Sequence, residues 1–355
     1  MPVIIMETPV NTNVKLHKLP ETDSQSCWKA EMAESFTRVE DLLDYLELPT
    51  DSLANYYEPA RRFPFRVTRA YASRMKKGEL NDPLLLQALP TIDELFDRLG
   101  YTADPVGDLQ AIALPGLLHK YHGRVLLIVT GACAINCRYC FRREFPYSDG
   151  QLTHSRQAEA LAYIAQDDSI AEVILSGGDP LMLDDNRLAL LYDGIADIPH
   201  VRRVRIHTRL PVVLPSRITS GLVKAVTSTR LNTVVTIHAN HANELDAEVG
   251  LALQRLRNVG LTLLNQSVLL KGVNDTVEAL TTLSEILFEQ GVLPYYLHLL
   301  DKANGTGHFD VNNPAASALH DDLQRLLPGY LVPRLVRETA GAPYKLNILK
   351  EKYLP

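Results

Sequence analysis

The sequence predicts an α/β protein built on a partial (β/α)6 TIM-like barrel, preceded by a small helical unit. Three observations predict it. From Arg124 onward, short apolar, β-branched runs alternate with segments of helical period, the pattern of parallel βαβ units. Strong strand candidates number near six, short of the eight that close a barrel, so an open barrel is preferred to a doubly wound sheet. Polar residues also gather just past the C-terminal end of each strand, where such folds build their sites.

In chain order, residues 1–25 mix Pro, Thr and Asn without periodicity and read as an arm. Val39, Leu42, Leu43 and Leu46 recur at helical spacing and predict a helix over 28–46, ended by Pro49. A second helix with a basic face is expected within 56–80, and a short third over 92–99, closed by Gly100. Residues 1–100 are thus an N-terminal arm and helical unit, and 101–123 a linker. Residues 124–345 are the barrel and 346–355 a short tail. Strands are expected at 124–130, 172–176, 203–208, 232–238, 261–269 and 293–299, with a weaker seventh near 331–337. Helices are expected at 154–166, 184–196, 243–259 and 276–290.

Composition narrows the function. The 355 residues are 46% hydrophobic, enough for one large core. A net charge of −6 gives no reason to expect a nucleic-acid partner. No apolar run reaches the roughly 18–20 residues of a membrane span, and MPVIIMETPVNTNVK lacks the apolar centre of a signal peptide. A cytoplasmic protein without a membrane partner is expected. Three of the four cysteines, Cys133, Cys137 and Cys140, fall within eight positions, which fits a metal or redox role in a reducing compartment.

Three thiolates on one loop can hold three irons of a [4Fe–4S] cube and leave the fourth open. A zinc site completed by Cys27 or a histidine, and three buried free thiols, are the alternatives. The CxxxCxxC spacing, with Tyr139 before the last cysteine, is the motif of the radical S-adenosylmethionine (SAM) enzymes, which the chain resembles. The resemblance implies that SAM chelates the open iron and is cleaved to a 5′-deoxyadenosyl radical. Ser176, Gly177, Gly178 and Asp179, after the second strand, match the superfamily's Gly-Gly motif and imply SAM binding there. Cys27 lies outside the motif.

Further motifs narrow the likeness. CRYCFRR, SGGDP, PVVLPSRIT, NQSVLLKGVND and PYY, in this order, are similar to those of the lysine 2,3-aminomutase family, over about 117–345. This implies an isomerase that moves the amino group of L-α-lysine to C3, giving (R)-β-lysine, with pyridoxal 5′-phosphate (PLP) as second cofactor. Lys345 occupies the place of the PLP Schiff-base lysine, with one glycine, Gly341, where the family often has a run. Lys120, Tyr121 and Arg124 match positions near the PLP phosphate, and His238 and Gln266 match positions at the cofactor interface. Arg142 stands at the carboxylate-binding position, while Asp301 and Glu338 stand where two acids grip the ε-ammonium. Glu338 is one methylene longer than the aspartate of the free-lysine enzymes. The short chain resembles bacterial enzymes that make β-lysine for translation elongation factor P, implying a separate ligase and a reductant such as flavodoxin or ferredoxin. A lysine-metabolising aminomutase, a radical SAM enzyme without PLP and a binding-only iron–sulfur or zinc protein are the alternatives.

Overall fold

The computed structural model describes residues 25–50 and 53–348. The expected arm, save Gln25, and the tail beyond Ile348 lie outside the described residues. Ten strands form one sheet in strict chain order: β1 (Ile112–Leu114), β2 (Leu117–Tyr121), β3 (Arg124–Thr130), β4 (Glu172–Gly177), β5 (Arg203–Thr208), β6 (Asn232–Ile237), β7 (Thr262–Val268), β8 (Leu293–His298), β9 (Arg334–Arg337) and β10 (Leu346–Asn347). From β3 to β9 every neighbour is parallel. The six expected strands are all present, and the weak seventh is realised as β9. The sheet order runs from β1 to β10 without pairing its ends, as in a partial barrel.

Register explains why the polar strand ends converge. Arg124 pairs with Glu172, Glu172 with Arg203, and Arg203 with Asn232, so four strands start level and finish level. Their apolar residues, such as Leu127, Leu175, Ile206 and Val235, are buried, as expected of strands covered by helices. Between them, helices at His154–Ala165, Asp185–Ala196, Ala247–Asn258 and Val277–Glu289 meet the expected positions. Thr153, Asp184, Asp246 and Thr276 cap their first turns through side-chain oxygens.

The N-terminal third departs from expectation in three ways. The helix expected over 28–46 is split into Gln25–Ala33 and Val39–Tyr45, because Phe36 between them exchanges backbone hydrogen bonds with Val67 (2.8 and 2.9 Å). The segment 56–80 yields only Ala54–Arg62 and Arg69–Ala72. The residue before a proline is biased away from helix, and Phe63-Pro64 breaks it there. The expected linker over 101–123 instead carries β1 and β2, antiparallel strands that extend the sheet beyond β3. Nor does the helical unit have a core of its own. Leu42, Leu43, Tyr71 and Leu84 belong to the same apolar cluster as Leu127 and Val235 of the barrel.

The unit also clamps the cysteine loop. Arg138, with a fully buried side chain, forms a two-toothed ion pair with Glu94 (2.8 and 2.6 Å) and donates to the carbonyls of Pro59, Phe63 and Pro64. Arg143 joins Glu94 at 2.6 Å. Arg138 N–H and Asn136 N–H donate to the carbonyls of Gln87 and Arg66. Removing one partner of a buried pair typically costs about 3–5 kcal/mol. Glu94→Ala should therefore lower unfolding stability by about that much, measured by chemical denaturation. A change within about 0.5 kcal/mol would mean the clamp contributes nothing.

Candidate active site

Apart from Cys27, every candidate site residue lines one cavity of about 680 Å³ that runs from the first residues of β3 and β4, Arg124 and Glu172, to the C-terminal ends of the strands. The cavity receives Cys133, Cys137 and Cys140 from the loop after β3, and Ser176 to Asp179 from the end of β4. His238 follows β6, Gln266 is on β7 and Asp301 follows β8. Glu338 follows β9, Lys345 immediately precedes β10, and Lys120, Tyr121 and Arg124 come from β2 and β3. Cys27 lies in the first helix beside Glu31, away from this cavity.

The cysteine loop and the Gly-Gly turn are built against each other. Gly178 N–H donates to Thr130 O (2.7 Å) and Asp179 N–H to Ala132 O (2.8 Å). Gly177 has φ +124°, and a Cβ on it would stand 2.5 Å from Thr130 O. One on Gly178 would stand 2.4 Å from Ala132 O. The glycines are thus already required by the close approach of the two loops, before any ligand is considered. The Asp179 carboxylate accepts from Leu181 N, Thr208 Oγ1, Arg209 N and Leu210 N (2.7–3.1 Å). In the free protein this carboxylate latches the ends of β4 and β5 together, while the residue still lines the cavity.

The donor set around the cysteines fits an iron–sulfur cluster. Burial and the neighbouring thiols push Cys133 well above the usual thiol range and Cys140 up to about 11. Crowded thiols in a poorly solvated pocket call for a cationic partner, which clustered iron supplies. Among the described residues no group of three or more His, Cys, Asp or Glu is placed to hold a single metal ion. Orphaned buried atoms on the same cavity, His207 Nε2, Arg209 Nε and Asp301 Oδ1, are what polar ligands would satisfy. His238 is stacked on Tyr139 and shares a 2.9 Å hydrogen bond with its hydroxyl. Burial, then Arg209, lowers His238 to about 3, so it is neutral.

At the other side of the cavity, charges alternate along a chain. Arg142 Nε donates to Asp108 Oδ2 (2.6 Å) and its Nη1 to Ser176 Oγ (3.0 Å), which leaves the Nη2 edge for a carboxylate. Asp108 Oδ1 meets Lys120 (2.5 Å), Lys120 meets Glu338 Oε1 (2.9 Å), and Glu338 Oε2 meets Lys345 (2.6 Å). Burial alone would raise Glu338, but Lys345 and Lys120 hold it far below the usual carboxylate range. Lys120 also donates to Val106 O (2.8 Å). In the free protein its three protons meet protein acceptors, and it stands on the cavity as a counter-ion to two carboxylates. Tyr121 and Arg124, the latter stacked over the Tyr121 ring at 4.8 Å, remain on the cavity. Asp301 is the opposite case, a half-buried residue whose Oδ1 is buried and without a partner. Burial, then Glu338, raises it to about 7.

Asp108 was not singled out from the sequence, while His207 and Arg209 were read only as polar residues closing the third strand, without a role. A lone aspartate in an apparent linker carried no signal. Arg138 and Arg143, beside the cysteines, serve as supports.

The Radical SAM superfamily model matches residues 127–283. A protein of Escherichia coli strain K12 named L-lysine 2,3-aminomutase is 45% identical over 91% of this chain and 95% of its own. One of Haemophilus influenzae with the same name is 45% identical over 92% and 96%. One of Clostridium subterminale, also so named, is 34% identical over 96% of this chain and 82% of its own.

Because the fold raises Asp301 from 3.8 to about 7, folding disfavours its ionised form. That stability is complete below pH ~4 and is lost as pH rises through about 7. Ligand-free Asp301→Asn lacks this loss. Its stability relative to the unaltered chain should therefore improve over that interval, by on the order of a few kcal/mol, and then level off. Thermal unfolding across pH checks it, and a pH-independent gap would contradict the assignment.

Proposed function

The chain belongs to the lysine 2,3-aminomutase family of radical SAM isomerases, whose cofactors are a [4Fe–4S] cluster, SAM and PLP, and on that premise we propose that it converts L-lysine to (R)-β-lysine. The observation that carries the substrate is the pairing, within one cavity, of a buried arginine with two partly buried carboxylates, one of which has a buried oxygen without a partner. Arg142 takes the α-carboxylate through its free edge. Asp301 and Glu338 take the ε-ammonium, which in a closed pocket needs counter-charge. A side-chain carboxylate, as in glutamate, would meet two like charges there.

Cys133, Cys137 and Cys140 hold the cluster, and the loop of Ser176, Gly177 and Gly178, with His238 and Gln266, lies where SAM binds. Lys345 carries PLP, with Tyr121 and Arg124 toward its phosphate. When bound, these cofactors would supply a radical that takes a hydrogen from C3 and returns one to C2, and the conjugated system across which nitrogen moves from C2 to C3, with no net oxidation. The chain's residues do the placing. Glu338 neutralises the Lys345 ammonium in the free protein, and its Oε2 would be open to another cation were Lys345 bound to PLP. Asp301 ionises as the substrate ammonium arrives, because the cation removes the cost of its burial. Lys120 keeps Asp108 and Glu338 neutralised throughout, so Arg142 stays aligned.

The finer role follows the family likeness: β-lysine supplied to a separate ligase for elongation factor P, with electrons from a flavodoxin or ferredoxin. No helix among the described residues is long and apolar enough to cross a membrane. Anaerobic incubation with SAM, PLP, reductant and L-lysine, followed by chiral analysis, should yield (R)-β-lysine. The (S) product, or turnover of glutamate in preference to lysine, would overturn the reading. Asp301→Ala should lose roughly a hundredfold or more in kcat/KM for lysine with SAM affinity kept.

A further inference from the structure

Arg209, just past β5, sits with its guanidinium buried at the meeting point of four parts of the chain. Its backbone N–H is held by Asp179 Oδ2 at 2.7 Å. Its Nη2, with two protons, shares them among three acceptors: Glu244 Oε2 (2.9 Å), Gln87 Oε1 (2.7 Å) and the Tyr71 hydroxyl (3.1 Å). Its Nη1 points elsewhere, to Cys137 Sγ at 2.7 Å. Among the described residues this is the one side-chain N–H donated to a sulfur of the cysteine loop, Cys140 receiving the backbone N–H of Arg142 instead.

The arrangement is not the one that maximises pairing. Arg209 leaves its Nε buried without a partner while spending Nη1 on a sulfur. An unmade bond to a buried donor costs about 1–3 kcal/mol, so the orientation is imposed by what holds the fork. Glu244 imposes it. Fully buried itself, it accepts from Arg209, Gln87 and the N–H groups of Asn240 and His241, and cannot turn away.

We propose that Arg209 is a positioning residue for the iron–sulfur cluster, its Nη1–H aiming the Cys137 thiolate and raising the cluster's reduction potential. The inference rests on reading Cys133, Cys137 and Cys140 as cluster ligands. A reduced cluster carries one more electron, spread partly onto its thiolates. A cationic hydrogen bond to one of them stabilises that state over the oxidised one. The step is a single electron passing from a reductant of the flavodoxin or ferredoxin class to the cluster, with no bond made or broken. Glu244 offsets the charge of Arg209 in the interior, yet it meets Nη2 and not the sulfur. The hydrogen bond to Cys137 is therefore felt at the cluster more strongly than the offset.

The test is a redox titration of the anaerobically reconstituted full chain without SAM, followed by electron paramagnetic resonance of the reduced cluster. Arg209→Gln removes the cation but strands Glu244. The paired variant Arg209→Gln with Glu244→Gln removes both buried charges and keeps their balance, and Arg209→Lys keeps the cation without the fork. The expected result is a full iron complement in the paired variant with a more negative midpoint potential and altered resonance, and partial restoration in Arg209→Lys. An unchanged potential and spectrum in the iron-loaded paired variant would overturn the role of Arg209 while leaving the cluster assignment standing. Failure of the unaltered chain to take up a four-iron cluster would overturn both.

Discussion

A buried charge has to be met by an opposite one, and the cavity is organised by that constraint. The run Arg142, Asp108, Lys120, Glu338, Lys345 alternates in sign at every step, with contacts of 2.5–2.9 Å. It begins at the group read as the carboxylate holder and ends at the lysine read as the PLP carrier. No member can be moved without leaving its neighbour uncompensated in a poorly solvated interior. Asp301 stands outside the run, is raised to about 7 and lacks a partner for Oδ1, and so marks where the run is incomplete. A substrate with a carboxylate at one end and an ammonium at the other completes it.

The radical side of the cavity is held by a different principle, close backbone approach. Thr130 and Ala132 accept from the Gly-Gly turn, and no side chain larger than hydrogen fits at Gly177 or Gly178. From the far side, Glu94 grips Arg138 and Arg143, so the cysteine loop is pinned between the sheet and the N-terminal unit. That unit shares the barrel's core. Its helices serve the loop that carries the cysteines, which explains why residues as distant as Gln87 and Tyr71 reach the Arg209 network.

The barrel was legible because periodicity survives in strands buried on both faces and in capped amphipathic helices. All six expected strands formed near their expected limits. The N-terminal third was less legible, since Phe36 chose a strand-like partner, Val67, from outside its own segment, and no local pattern records such a choice. β1 and β2 were hidden by their shortness and by the exposed faces of β1. The site was legible residue by residue through its motifs, and all the expected side chains line one cavity. The partners of those side chains were not legible. Asp179 is spent on backbone N–H groups and Lys120 on two carboxylates, and both facts depend on contacts across the fold. The extra methylene of Glu338, visible as a departure from the family's aspartate, gains a physical sense, because one carboxylate here spans two lysines.

The central claim is that nitrogen moves within one lysine molecule while this cavity holds both of its ends. Anaerobic incubation of the enzyme, SAM, PLP and reductant with L-lysine carrying 15N at the α-position, followed by NMR of the product, tests it most directly. The account predicts 15N bonded to C3 in the β-amino acid, with the ε-nitrogen unlabelled and SAM recovered. Label remaining on C2 while SAM is consumed to 5′-deoxyadenosine would contradict it.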